Sequence, residues 1–538
     1  MVLKKPSAKA QPAAPVFEGM IVRTDDQATA RRAARRNGLQ DWAITALGAD
    51  SQDYLLTPAK PLGVAEAWSL TYQLRADREV AEAEPAFITQ GIEPLPAQVV
   101  RPGIKGGFGT TKPLPESDDC EWSIKLCKVP EAWDFSTSNQ PQGALSHGEG
   151  IKIAHPDTGY TRHPDFFDQR VLVDEGKDFM DGDDDAEDLL TGSAPSHGTS
   201  TGSVIMSAVG PSDVDHVTGA APKAMLIPLR VKDSVIHFSY ANLCKALYYA
   251  AEQGYHVVSM SLGGPISSNA LLRALQHAVS KGIILLAASG NHYPSVIYPA
   301  KYEECIAVCA CNARRKIWNG ASTGDDVDVT APGESVWRAR TEKDEFIVAR
   351  SDGTSYATAT TAGVTALWLA HHGRDKLLQS FPGARLVSVF KELLMRQGVD
   401  TDPGWETGKH GAGIVNALKV LQAPLPASAP AMGVKMRASK PRPAQNDIDR
   451  IAAYFPEAST DQVRKMLRHA LGVSDRQLST TLPDLADEFI FHVATDPAVR
   501  FKLLDRIKPA IKAAGIKTAT TAKRVFKNAS PLLKAQLT

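Results

Sequence analysis

Residues 256–291, HVVSMSLGGPISSNALLRALQHAVSKGIILLAASGN, contain two short apolar runs separated by an amphipathic stretch. The runs HVVSMSLGG (256–264) and GIILLAASGN (282–291) are strand-length and close on Gly, Ser and Asn, so they read as strands ending in turns. Between them, NALLRALQHAVSKG (269–282) repeats its apolar residues at helical spacing and stops on a glycine. A strand, a helix and a second strand in this order predict two parallel strands joined by a helical crossover. The alternation extends from about residue 120 to 422, through GIKIAHPDTG (150–159), AMLIPLRV (224–231) and ANLCKALYYAAEQG (241–254). The expected core is therefore α/β, a mostly parallel sheet covered by helices on both faces. Ligands in such sheets bind beyond the carboxyl ends of the strands, where Asp157, Gly264 and Asn291 stand.

Working outward, the composition changes on both sides. Residues 1–15 carry no periodic pattern and are expected to be disordered. Residues 16–90 read as strand, helix, strand, strand, helix, strand, from VFEGMIVRT (16–24) to VAEAEPAFITQ (80–90), the order of a small ferredoxin-like α+β unit. Residues 91–119 and 423–445 are Gly-, Pro- or Ala-rich linkers. From 446 to 538 apolar positions recur at helical spacing, as in VRKMLRHAL (463–471) and LADEFIFHV (485–493), and suggest a small all-α bundle.

Global charge excludes little and suggests no polyanionic partner, since the 60 basic and 60 acidic residues cancel. The last 39 residues, from Arg500, hold ten Lys or Arg against the single acidic Asp505. With no aromatic stacking platform beside them, they read as a solvated basic face more readily than as a nucleic-acid or anionic-lipid site. No run is long and apolar enough to span a bilayer, and no apolar segment follows the first lysines, so cytoplasmic residence is the expectation. The six cysteines show no disulfide-framework spacing. The cluster CIAVCAC (305–311) lies in an apolar, strand-like run and reads as core thiols rather than a zinc site.

Four turns carry chemistry. Asp157 ends a strand in HPDTG, His197 opens a small-residue helix in HGTSTGS, Asn291 follows a strand in AASGN, and Ser355 begins the helix of SDGTSYATATTAGVTALWLA (351–370). Taken alone, Ser355 reads more readily as a helix cap than as a reactive hydroxyl at the positive end of a helix. The other three turns supply what a reactive hydroxyl requires. An imidazole removes its proton near neutral pH, a carboxylate fixes the imidazole tautomer, and amide donors stabilise an oxyanion. The donors here are the Asn291 side chain and the Ser355 backbone N–H.

Asp157 in DTG, His197 in HGTSTG, Asn291 in SGN and Ser355 in GTSYAT resemble the four signatures of the subtilisin family, the subtilases, in that family's chain order. WSIKLCKVPEAWD, SLGGP, YPAKYEECIAVCA, APGESV and HGAGIVNA extend the resemblance over about 120–422. It implies a serine endopeptidase working through an acyl-enzyme on protein or peptide substrates, with Asp157, His197 and Ser355 catalytic and Asn291 in the oxyanion hole. The implied fold is a subtilisin-like parallel sheet sandwiched by helices, preceded by the ferredoxin-like unit and followed by the all-α unit. Substrate is expected to add as an extended strand beside Ser261, Leu262, Gly263 and Gly264. The resemblance implies that Ala288, Ser289 and Gly290 form the opposite wall of the S1 pocket. Ile297 falls where many relatives carry Gly at the pocket base, which predicts small or modest P1 residues. Two further departures are His155-Pro156 ahead of Asp157, where Pro156 is expected to take the strand out of its ladder, and Tyr356 in place of Met.

No cofactor is required for such chemistry. The acidic stretch DEGKDFMDGDDDAED (174–188) resembles a calcium loop of some subtilases, with Asp181, Asp183 and Asp185 as candidate ligands; a solvated acidic loop is the equal alternative. The N-terminal unit resembles an inhibitory propeptide, with AEAEPAF like its closing strand, and the C-terminal bundle suits an adaptor for a protein partner. Two other activities fit the same residues: peptide ligation or cyclisation by the same triad, and a non-catalytic peptide-binding scaffold.

Overall fold

The computed structural model describes residues 15–88, 113–139, 145–211, 215–234, 239–343, 345–427, 447–455, 458–507 and 525–537. Most of both linkers, the first fourteen residues and part of the basic tail lie outside these ranges.

The N-terminal unit is a four-stranded antiparallel sheet of β1 (Val16–Arg23), β2 (Ala43–Ala46), β3 (Asp53–Thr57) and β4 (Glu82–Ile88), in the order β2-β3-β1-β4. Helices Gln27–Arg36 and Val64–Arg75 connect its strands.

Nine strands form the central sheet. They are β5 (Lys152–Asp157), β6 (Lys177–Asp178), β7 (Met225–Arg230), β8 (Val257–Met260), β9 (Ile284–Ala288), β10 (Cys305–Cys311), β11 (Val329–Pro332), β14 (Val399–Asp400) and β15 (Ile414–Val415). The hairpin of β12 (Val336–Glu342) and β13 (Glu345–Ser351) stands apart from this sheet and leads into helix Thr354–His372. The strand order is β14-β15-β11-β10-β9-β8-β5-β7-β6, and every pairing is parallel except β14 with β15.

Strands β8, β9 and β10 are buried at every residue, which is why they read as unbroken apolar runs rather than alternating ones. The cysteines of β10 are buried, and none of the six cysteines forms a disulfide. Burial pushes the Cys305 and Cys311 thiols well up, so they stay protonated. Helix Thr354–His372 is buried at every residue but the last, which removes any amphipathic pattern from its sequence.

Pro156 does not take β5 out of the sheet. The ladder to β7 runs on through Pro156 to Asp157, whereas pairing with β8 stops at Ala154. Asp157 O accepts from Val231 N, so residue 157 bonds toward β7 and residue 156 faces the other side. The missing N–H of Pro156 thus costs the sheet only on the β8 edge.

The strands of the N-terminal unit alternate faces with period two. Ile21, Leu55 and Ala86 join the core of the large α/β unit, while Met20, Val22, Leu56 and Phe87 face the opposite way into a second core. That second core also draws on the C-terminal helices Asp447–Ala452, Thr460–Leu471, Asp475–Thr495, Pro497–Ile507 and Pro531–Gln536. Among the described residues the C-terminal region has no strand, and no helix is long and apolar enough to cross a membrane.

Candidate active site

Asp157 is the last residue of β5, and His197 the first of helix His197–Met206. They meet because the two turns approach without side chains between them. A Cβ on Gly198 would lie 2.0 Å from Gly159 O, and Gly159 itself sits at φ +102° against Ala186 O. Thr158 closes the junction: its hydroxyl donates to Asp188 Oδ2 (2.6 Å) and accepts from Gly198 N (3.0 Å). Asp188 also accepts from Ser196 N (2.8 Å), which fixes the residue before His197.

His197 Nδ1 lies 2.7 Å from Asp157 Oδ1, and its Nε2 lies 3.2 Å from Ser355 Oγ. With the carboxylate accepting, Nδ1 carries the proton and Nε2 is left to accept from the serine hydroxyl. Asp157 is almost wholly buried and also accepts from Thr158 N (2.7 Å). Burial pushes its carboxyl up, but the charge and hydrogen bond of His197 outweigh that and hold it below the ordinary carboxylate value. His155, two residues earlier on β5, is a packed histidine rather than a second base. Its Nε2 is 2.8 Å from Thr201 Oγ1 and 3.8 Å from Asp157 Oδ2, and burial holds its pKa down.

Ser355 is not the helix cap. Gly353 holds the cap position without a side-chain bond, and Ser355 is the second helical residue, its N–H among those a helix leaves unpaired. Asn291 is oriented by Thr354, whose N–H (2.9 Å) and hydroxyl (2.8 Å) both donate to Asn291 Oδ1. That leaves the Asn291 amide nitrogen beside Gly353, 3.5 Å from where a Cβ at 353 would stand. An amide donor and a helix N-terminus therefore converge next to the serine hydroxyl.

The extended segment 261–264 after β8 flanks this centre. Ser261 Oγ donates to Ser355 O (3.0 Å), and Leu262 is buried behind it. Gly264 pairs with Tyr298 through Gly264 N to Tyr298 O (2.8 Å) and Tyr298 N to Gly264 O (2.9 Å). Ala288, Ser289 and Gly290 run opposite, and Ile297 N donates to Ser289 O (3.0 Å). The Ile297 side chain lies between the two walls. A Cβ on Gly263 would be 2.9 Å from its Cδ1, and one on Gly290 would be 3.0 Å from its Cγ1.

The acidic loop does not gather Asp181, Asp183 and Asp185 at one point. Asp181 accepts from Arg230 Nη1 (2.7 Å), Asp185 from Tyr160 OH (3.3 Å) and Asp183 from Asp185 N (3.0 Å). Arg230 also pairs with Asp178, and Lys177 with Asp184. Among the described residues no group of three His, Cys, Asp or Glu side chains is arranged to hold a metal ion. Sequence reasoning did not single out Thr158, Asp188 or Thr354 as positioning residues. Each sits inside a stretch already quoted for another reason, and only its partner across the fold reveals what it holds in place.

Residues 148–399 match the family described as the Subtilase family. Thermitase of Thermoactinomyces vulgaris is 32% identical over 257 residues, which cover 47% of this chain and 84% of thermitase. The chain belongs to the subtilase family. This subtilase is also 30% identical over 300 residues to the major intracellular serine protease of Bacillus subtilis, covering 54% of this chain and 86% of that protein. Among solved structures, fervidolysin of Fervidobacterium pennivorans, a keratinolytic enzyme related to subtilisin, matches with a TM-score of 0.57 at 19% identity. That match covers 78% of this chain and 63% of fervidolysin, and at this identity it speaks for the fold alone. The protein is a subtilisin-like serine endopeptidase.

Proposed function

We propose that Ser355 is the nucleophile of this protease, His197 its base, Asp157 the carboxylate that orients and stabilises His197, and Asn291 an oxyanion donor. The supporting observation is the continuous contact from Asp157 Oδ1 through His197 to Ser355 Oγ, at 2.7 and 3.2 Å. Ser355 Oγ attacks the scissile carbonyl carbon while its proton passes to His197 Nε2. The imidazolium is stabilised by Asp157, and the oxyanion receives hydrogen bonds from Asn291 Nδ2 and Ser355 N. Collapse expels the amine, which takes the proton from His197. Water then repeats the sequence on the acyl-enzyme. Ile297, between Gly263 and Gly290, favours small P1 side chains.

The N-terminal unit is the inhibitory domain of the same reading. Glu84 on its last strand accepts from Asn269 N (3.2 Å) and from the Ser268 hydroxyl, at the start of the helix that follows the substrate strand. An intracellular setting belongs to the proposal too, in keeping with six cysteines outside any disulfide.

The test is labelling by a serine-reactive fluorophosphonate together with product mass on a defined peptide. Protein from which the N-terminal unit has been cut and dissociated is expected to label at Ser355 and to add one water per cut, and the same preparation carrying Ser355→Ala to do neither. Products lacking the added water would show ligation instead, and labelling at another serine would overturn the assignment.

A further inference from the structure

The C-terminal helices pack on the back of the N-terminal unit. Helix Val64–Arg75 and strand β4 present Trp68 and Phe87 to Phe491 of helix Asp475–Thr495, with ring centroids 5.9 and 4.6 Å apart. All three rings are almost completely buried. Beside them Tyr72 OH donates to Glu488 Oε2 at 2.8 Å. Glu488 has no exposed surface and also accepts from Ser530 N (2.6 Å) and Ser530 Oγ (2.8 Å), so one buried carboxylate ties the N-terminal unit to two C-terminal helices. Burial of such a group is tolerable only while its hydrogen bonds persist.

The C-terminal helices also hold the protease directly. Arg450 donates to Asp487 Oδ1 (2.7 Å) and to Ser267 Oγ (3.1 Å), just past the substrate strand. Tyr454 OH donates to Pro265 O at 3.5 Å. The N-terminal unit is thus gripped on both faces: one sheet face lies on the α/β core, the other on helices that are themselves anchored to it.

We infer that the C-terminal helices are a cis partner that retains the N-terminal unit on the protease after the connecting segment is cut. This rests on the reading of that unit as inhibitory, and it gives the C-terminal region a role in regulation, since cleavage between the two units does not by itself release the inhibitor. Two linked contacts raise retention by about 100- to 10,000-fold over one, because the second forms at high effective concentration.

The experiment uses the full chain carrying Ser355→Ala, with a specific-protease recognition sequence substituted for residues 101–107. After cutting, native mass spectrometry follows the N-terminal fragment on dilution. The expected result is a retained fragment, with Phe491→Ala weakening retention by about 100-fold or more. Tyr72→Phe, a one-atom deletion that spares the fold, is expected to weaken it in the same direction and guards against misfolding of the first variant. Equal dissociation from parent and both variants overturns the inference. The inhibitory reading fails separately: in the Ser355 chain, full peptide hydrolysis by a cut complex that keeps its fragment refutes inhibition and leaves retention standing.

Discussion

Replacing Ile297 by Ala is expected to convert this protease from small to large P1 residues. The Ile297 side chain fills the gap between Gly263 and Gly290, reaching to 2.9 Å of a Cβ position on one wall and 3.0 Å on the other. Alanine removes three carbons from that gap. A P1 phenylalanine can then bury about the equivalent surface, and at roughly 0.8 kcal/mol per methylene this is about 2.4 kcal/mol, or about 50-fold in kcat/KM. Ile297 is buried, so the substitution also costs stability, about 2 kcal/mol or more for a core isoleucine. The assay avoids that cost by reading a ratio. Two peptide substrates differing only in Ala or Phe at P1 are compared in one preparation, so any inactive fraction cancels. A Phe/Ala ratio that moves by less than about threefold would mean that Ile297 does not bound the pocket. A wild type that already prefers Phe would refute the reasoning at its first step.

Asn291→Ala is expected to lower kcat by about 100- to 1,000-fold with KM little changed, the loss known for the corresponding donor in subtilisin, a relative of this chain. Single-turnover kinetics checks it. Gly198→Ala drives a Cβ to within 2.0 Å of Gly159 O, and a shift of His197 by about 1 Å is expected to cost about 100-fold in kcat/KM, with fluorophosphonate labelling slowed in parallel. Burial raises the Glu84 carboxyl from 4.5 to about 7 where it meets Ser268 and Asn269. The docked state therefore holds the proton more tightly than the undocked one, so this contribution is complete below about 4.5 and lost as pH rises through about 7. Fragment retention in the cut Ser355→Ala chain should weaken from about pH 5 to about pH 7, and Glu84→Gln should flatten that slope; an unchanged slope would assign it elsewhere. Calcium titration checks the acidic loop. With Asp181 held by Arg230 and Asp184 by Lys177, no rise in melting temperature at about 1 mM calcium is expected, and a rise would show the loop rearranging around the ion.

Much of this was legible in the chain itself. Short buried strands ending in Gly, Ser or Asn dictate the parallel sheet, because a strand covered on both faces must be apolar at nearly every position, as β8, β9 and β10 are. Asp157 and Asn291 at strand ends, and His197 and Ser355 at helix starts, stand out as candidates because each lies in a glycine-containing turn, and such turns leave a local signature. What local sequence could not reveal is which distant group each side chain meets. Thr158 and Asp188 look like an ordinary turn residue and one more acid in an acidic loop, yet together they set the residue before His197. Asp181 reads by sequence as a calcium ligand or a solvated acid alike, and only the fold brings Arg230 of β7 to it. Ser355 reads first as the cap of its helix, and only the fold gives that position to Gly353. The contact between the N-terminal unit and the C-terminal helices has no signature at all. Trp68, Phe87 and Phe491 are each ordinary core residues by periodicity, and tertiary packing alone decides that they share one core.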